Sequence, residues 1–266
     1  MRFQDRVVWI TGASSGIGEA LAYAFSRAGA KLIHSARRAD ALENVRQHCA
    51  IPENIVVRPL DLADLESLPQ KANEARAAFG AGVDILVNNG GVGQRGRAVQ
   101  TPIAVDQKIM QVNYFGHVAL TKAVLPAMIE RKSGHIVVIS SISGKVGAPK
   151  RSAYSASKHA LHGFFDSLRA EVHQHNIKVT LICPGFVKTK IAYNALRADG
   201  TPRGRDDSQH FKAMSAEKCA AETLKAIAKG KDEVYISAGL EILGVYLSRL
   251  SPSLLRRVVR RFETPE

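Results

Sequence analysis

The stretch RVVWITGASSGIG, residues 6–18, decides how the rest of the chain is read. A short β-branched run ends in a glycine-rich turn, and a helical pattern starts directly behind it. Gly12, Gly16 and Gly18 permit a tight turn and close approach of the backbone to a ligand. The helix start offers free N–H groups and the positive end of a dipole, which suit a diphosphate. Ser14, Ser15 and Ile17 lie in the same turn and join the glycines as cofactor-binding candidates. The spacing is G-x-x-x-G-x-G, not G-x-G-x-x-G. What carries the reading is therefore the turn's place after a first strand.

Outward from that turn, short strand-like runs alternate with longer helical ones. The runs fall at 6–10, 31–36, 54–60, 83–88, 134–140, 177–184 and, more weakly, 232–237. Helical periodicity covers about 16–28, 38–49, 64–79, 103–131, 152–175 and 215–229. Such alternation implies parallel strands with helices on both faces. Apolar runs such as IVVI suit strands buried on both sides. The expected fold is a single Rossmann-type α/β domain, a doubly wound parallel sheet of about seven strands over 1–240. Residues 241–266 form a C-terminal helical extension of the same domain.

Composition narrows the class. The 266 residues are 45% apolar and 6% aromatic, enough for one large core. Cys49, Cys183 and Cys219 are odd in number and widely separated. They suggest neither a disulfide framework nor a zinc or other metal site, so a reducing, cytoplasmic location is expected. MRFQDRVVWI reads as domain sequence rather than a signal peptide. A formal charge of +13 asks for an anionic partner.

In a doubly wound sheet, ligands bind beyond the carboxyl ends of the strands. After the second strand stand Arg37 and Arg38, where an NAD site usually has a carboxylate. Two guanidiniums suit a 2′-phosphate instead, so NADP(H) is the expected cofactor. After the third, Asp61 and Leu62 flank an adenine, or Asp61 caps the next helix. After the fourth, Asn88 and Gly90 supply amide and backbone near a ribose. After the fifth, Ser141 or its neighbour Ser140 offers a hydroxyl to a substrate carbonyl. Pro184 and Gly185 break the sixth strand, and Val187 and Thr189 follow toward a nicotinamide carboxamide.

RSAYSASKHALHGFF (151–165) places Tyr154 and Lys158 one helical turn apart on one face. An ammonium there lowers a phenol's pKa toward working pH.

Together these stretches resemble the classical short-chain dehydrogenase/reductase (SDR) family, from about residue 4 to 237. TGASSGIG matches its TGxxxGxG, YSASK its YxxxK, and Pro184-Gly185 with Thr189 its PGxxxT. Ser141 stands thirteen residues before Tyr154, and VNYFG puts Asn113 at the family's helix-interrupting asparagine. The resemblance implies that Tyr154 is the acid/base, and that Lys158 lowers its pKa and binds ribose. It implies that Ser141 polarises the substrate oxygen and Asn113 fixes a water beside Lys158. It also implies a homodimer or homotetramer. One departure stands out: NNGG replaces NNAG, which should loosen the turn at Gly90.

The resulting expectation is an NADP(H)-dependent oxidoreductase interconverting a carbonyl and an alcohol. The alternative is an NADP(H) sensor without turnover. Residues 186–214 form a lid with apolar Phe186, Ile191, Tyr193, Leu196, Phe211 and Met214, suited to a hydrophobic substrate. The tail is amphipathic and basic, with apolar Leu247, Leu250, Leu254, Leu255, Val258, Val259 and Phe262. Its segment 246–262 packs on protein or lies on a membrane surface. Nucleic acid is not expected, because the basic residues lack interleaved aromatics.

Overall fold

A computed structural model describes residues 3–80, 82–205 and 213–261. In chain order its strands are β1 (Val7–Thr11), β2 (Lys31–Ser35), β3 (Ile55–Val57), β4 (Ile85–Asn88), β5 (Gln94–Arg95), β6 (Gly134–Ile139), β7 (Ile177–Pro184), β8 (Leu196–Arg197) and β9 (Glu233–Ile236). Seven of them form one all-parallel sheet in the order β3-β2-β1-β4-β6-β7-β9. The helices are α1 (Gly16–Arg27), α2 (Ala39–Gln47), α3 (Leu68–Ala77), α4 (Ile103–Met110), α5 (Gly116–Glu130), α6 (Ser152–Val172), α7 (Ala216–Lys229), α8 (Glu241–Leu250) and α9 (Pro252–Arg260).

Strand β1 shows why both faces are covered. Its side chains alternate, and all are buried. Val8 and Ile10 enter one core with Leu21, Phe25, Leu32 and Ile227. Val7 and Trp9 enter the other with Leu86, Leu120, Ile136 and Phe165. Each such large side chain contributes about 1.5–3 kcal/mol by leaving water. The indole N–H of Trp9 donates to Ser35 Oγ at 2.8 Å, so its polar atom is satisfied inside the core.

The chain runs from β1 outward to β2 and β3, then crosses back to β4 on the other side of β1. That reversal opens a crevice above the carboxyl ends of β1 and β4. Val8 is in register with Ile85, and Ile10 with Val87. The glycine turn and NNGG therefore leave the sheet side by side.

Two helices differ from the sequence pattern. The run at 103–131 is not continuous: a π turn, Gln111–Phe115, separates α4 from α5. The helix expected from 64 starts at Leu68. Asp61 Oδ1 accepts from Ala63 N at 3.0 Å, and Ser67 Oγ donates to Asp64 O at 3.1 Å. These local bonds hold turns in place of helix. Asp61 therefore caps its own turn and not α3.

Candidate active site

The glycine turn is built by exclusion. Gly12 and Gly16 have φ of 66° and 60°, a region that costs most side chains dearly. A Cβ on Gly18 would lie 2.2 Å from Gly12 O, and one on Gly12 2.8 Å from Gly90 Cα. Gly16 is closed on its other side by Thr189, whose Cγ2 would lie 3.0 Å from a Cβ there. No side chain caps the first turn of α1 at Ser15. Its N–H groups are left for an anion.

Thr11 and Asn89 hold the glycine turn against the end of β4. Thr11 Oγ1 donates to Val87 O at 3.2 Å and accepts from Asn89 N and Gly90 N at 3.0 and 3.1 Å. Asn89 Nδ2 donates to Thr11 O at 2.9 Å. Asn88 points elsewhere. It is buried, and its Nδ2 donates to Thr121 Oγ1 at 2.9 Å, tying β4 to α5. Gly90 is not loosened as the sequence suggested. Its N–H is taken by Thr11, its carbonyl lies 2.7 Å from His117 Nε2, and Leu62 Cδ1 fills the space of the missing methyl. Leu62 is thus largely a core side chain.

Arg37 and Arg38 are exposed just past β2, and neither guanidinium has a partner among the described residues. Two unpaired cations beside an uncapped helix start and a glycine cradle fit a dinucleotide bearing an extra phosphate. Pro184 ends β7, with Gly185, Val187 and Thr189 following. Val187 bridges to Met214, and Lys188 N donates to Met214 O at 2.9 Å.

Tyr154 and Lys158 lie on α6 beside this crevice. Gln94 Oε1 accepts from Ala153 N and Tyr154 N at 2.8 and 3.2 Å, so a side chain from β5, just after NNGG, caps the first turn of α6. Lys158 is buried, its Nζ 5.8 Å from the Tyr154 ring centroid and 2.8 Å from Ile139 O, to which it donates. Burial lowers the Lys158 pKa to about 8, with the nearby Cys183 acting in the opposite direction. Burial raises the Tyr154 phenol. A hydrogen bond with Ser141 and the charges of Arg151 and Arg95 pull it back. The net shift is upward, and Lys158 is not among the neighbours that pull the phenol down.

The two serines face different ways. Ser141 meets the Tyr154 phenol, accepts from Ser143 N at 3.1 Å, and reaches Pro184 O at 3.5 Å. Ser140 turns away to His162 Nε2 at 3.0 Å.

Asn113 sits in the π turn, and such turns often mark functional positions. Its side chain is tied to its neighbours: Oδ1 accepts from Val92 N at 2.8 Å, and Nδ2 donates to Val92 O and Ser157 Oγ at 2.9 and 3.1 Å.

Beneath the site, Glu233 gathers polar and charged neighbours. Lys145 Nζ lies 2.8 Å from its Oε2 and His162 Nδ1 3.3 Å, while the Tyr235 hydroxyl donates to Oε1. Burial works against this carboxylate, but its hydrogen-bond partners outweigh it and hold the pKa well below the usual range. His162, Cys183 and Glu233 offer ligand atoms within 4.8 Å of one another. The Lys145 ammonium already neutralises that group, and burial pushes the Cys183 thiol up to about 12, far from a thiolate ligand.

The lid is anchored in its described part. Strand β8 pairs with β5, and Leu196 N donates to Gly93 O at 3.0 Å. Leu196 and Met214 are buried, whereas Ile191 and Tyr193 remain exposed. Phe211, the insert residues 206–210 and Phe262 lie outside the described residues.

A glycine cradle at the switch point, with Ser141, Tyr154 and Lys158 beside it, defines a dinucleotide-binding enzyme site on a Rossmann sheet. Comparison with known proteins agrees. A family model described as short chain dehydrogenase matches residues 6–199. The chain is 48% identical over 262 residues to the "Dehydrogenase/reductase SDR family protein 7-like" of Anopheles gambiae, covering 96% of this chain and 82% of that one. It is 45% identical over 263 residues to the "Dehydrogenase/reductase SDR family member 7B" of Bos taurus, covering 96% and 81%. A solved short-chain dehydrogenase from Streptomyces avermitilis superposes with a TM-score of 0.82 at 31% identity, covering 96% and 98%. One from Burkholderia cenocepacia J2315, in complex with NADP, gives 0.81 at 22% identity over both full chains. The chain belongs to the short-chain dehydrogenase/reductase family and is an oxidoreductase.

Proposed function

We propose that this protein uses NADP(H) to interconvert a ketone or aldehyde with its alcohol, on a hydrophobic substrate. The observation that carries the chemistry is the placing of the Tyr154 phenol between Ser141 and buried Lys158, whose Nζ lies 5.8 Å from the Tyr154 ring centroid. A bound NADP(H) supplies or accepts the hydride at its nicotinamide ring. Tyr154 gives its phenolic proton to the carbonyl oxygen during reduction, and takes it back from the alcohol during oxidation. Ser141 donates to the same oxygen and orients it. Lys158 stabilises the phenolate left after proton transfer, a role its charge can fill even though burial keeps the resting phenol protonated. Arg37 and Arg38 bind the 2′-phosphate, and the turns at Gly12–Gly18, Asn88–Gly90 and Pro184–Thr189 hold the rest of the cofactor. The active species is a homodimer or homotetramer.

Two measurements test this reading. Tyr154→Phe should abolish turnover on a panel of ketones and aldehydes while NADPH still binds. Arg37→Asp should weaken NADPH far more than NADH. Full turnover in the first variant removes the catalytic assignment, and equal effects on both cofactors remove the choice of NADP(H).

A further inference from the structure

Most of the exposed large apolar side chains lie in one place. Leu240, Leu243, Tyr246, Leu250, Leu254 and Val258 all stand out on α8, α9 and the residue before them, with Leu240 and Leu250 80% and 84% exposed. Leu243, Tyr246 and Leu250 recur at helical spacing on one stripe of α8, while Val245 is buried. The helix α9 folds back on α8: a Cβ on Gly244 would lie 3.9 Å from Leu255 Cδ1.

Basic charge accompanies this apolar stripe. Residues 242–261 contain five arginines and no aspartate or glutamate. Arg249 approaches Glu233 at 3.9 Å. Arg256, Arg257, Arg260 and Arg261 are exposed with no side-chain partner among the described residues.

The inner side of α8 packs beside the turn that follows Ser141. The same Gly244 Cβ position is 3.9 Å from Val146 Cγ2, just past the Ser141 turn. Glu241 Oε1 accepts from Phe186 N at 3.4 Å, where the lid begins.

We propose that the outer face of α8 and α9 docks in the interface of a lipid bilayer bearing anionic headgroups. Apolar side chains enter the boundary between headgroups and acyl chains, and the arginines neutralise lipid charge. A second copy of this chain fits the face less well, because it would bring unpaired arginines against unpaired arginines. The contact lies on the surface, since no helix among the described residues is long and apolar enough to cross. Docking sets the lid beside the bilayer, so an apolar substrate would reach the site from the membrane. This last consequence rests on the proposed substrate class; the docking does not.

The test uses full-length protein without cofactor or substrate, sedimented with vesicles of phosphatidylcholine alone or mixed with phosphatidylserine. Binding should be confined to the phosphatidylserine vesicles and fall with salt. It should weaken about tenfold or more in Leu250→Ser/Leu254→Ser and in Arg256→Glu/Arg257→Glu. Unchanged melting temperature and NADPH affinity will show that both variants are folded. Absence of wild-type binding to either vesicle overturns the proposal, as does undiminished binding by both variants. It is also overturned if the variants break an oligomer apart by mass measurement and keep their vesicle binding. Because no turnover is read, failure of the catalytic reading leaves the result standing.

Discussion

Gln94 holds Tyr154 in place: its Oε1 accepts the main-chain N–H of Tyr154 at 3.2 Å and that of Ala153 at 2.8 Å. The carboxamide serves as an N-cap supplied from elsewhere in the chain. Losing such a cap costs about 1 kcal/mol. The first helical turn, which carries the phenol, should then fray. Gln94→Ala should lower kcat about tenfold with little change in NADPH affinity. Steady-state kinetics beside a cofactor titration check the split; a loss confined to cofactor affinity would contradict it.

Lys158 supplies a pH signature. Burial lowers its pKa to about 8, so the ammonium is present below that value and lost above it. If that charge helps to hold the cofactor ribose, NADPH affinity should decline as pH rises through about 8. In Lys158→Met the affinity should be lower throughout and show no inflection. Fluorescence titration from pH 7 to 9 reads both.

His34 should make the fold acid-sensitive. It is fully buried with both ring nitrogens unpartnered, and burial, then the charge of Arg46, lowers its pKa from 6.5 to about 4. Between those values the unfolded chain takes up a proton that the folded chain refuses. Stability therefore falls as pH drops from 6.5 toward 4, by up to about 1.4 kcal/mol per pH unit from this residue. His34→Leu should flatten that slope in urea unfolding at pH 5 and 7. Equal slopes would show that His34 is not the group responsible.

Gly90 and Leu62 form a matched pair. A Cβ at 90 would lie 2.6 Å from Leu62 Cδ1. Gly90→Ala, which restores the family's NNAG, should destabilise by about 1 kcal/mol because the leucine tip must shift. Leu62→Val should relieve much of this, giving a favourable coupling in a double-mutant cycle. Additive effects would mean that the two side chains do not compete.

The seven strands of the sheet were legible in the sequence, because β-branched runs between helical periods have few other solutions. The grouping of the candidate residues was visible through motifs whose spacing is local, such as Tyr154 to Lys158. What escaped were contacts made across the chain. Nothing near Gln94 or Thr11 announces a bond to a distant main chain, since either residue would suit an ordinary loop or strand end. Asn88 and Asn89 are identical in type. Only the pleat of β4 decides that the first faces Thr121 and the second the glycine turn. The two-residue pairing of β5 with β8 is too short to leave a periodic trace.

Thr189 resting on Gly16 has a consequence for how the enzyme comes into being. The cradle's floor is made early in the sequence and its wall arrives only after β7 has joined the sheet. A nascent chain released before that point would carry the nucleotide signature without a complete place to seat the nucleotide. Such long-range closure slows folding. Ligand that recognises only the finished cradle then acts as a late clasp, drawing the population toward the assembled form by mass action.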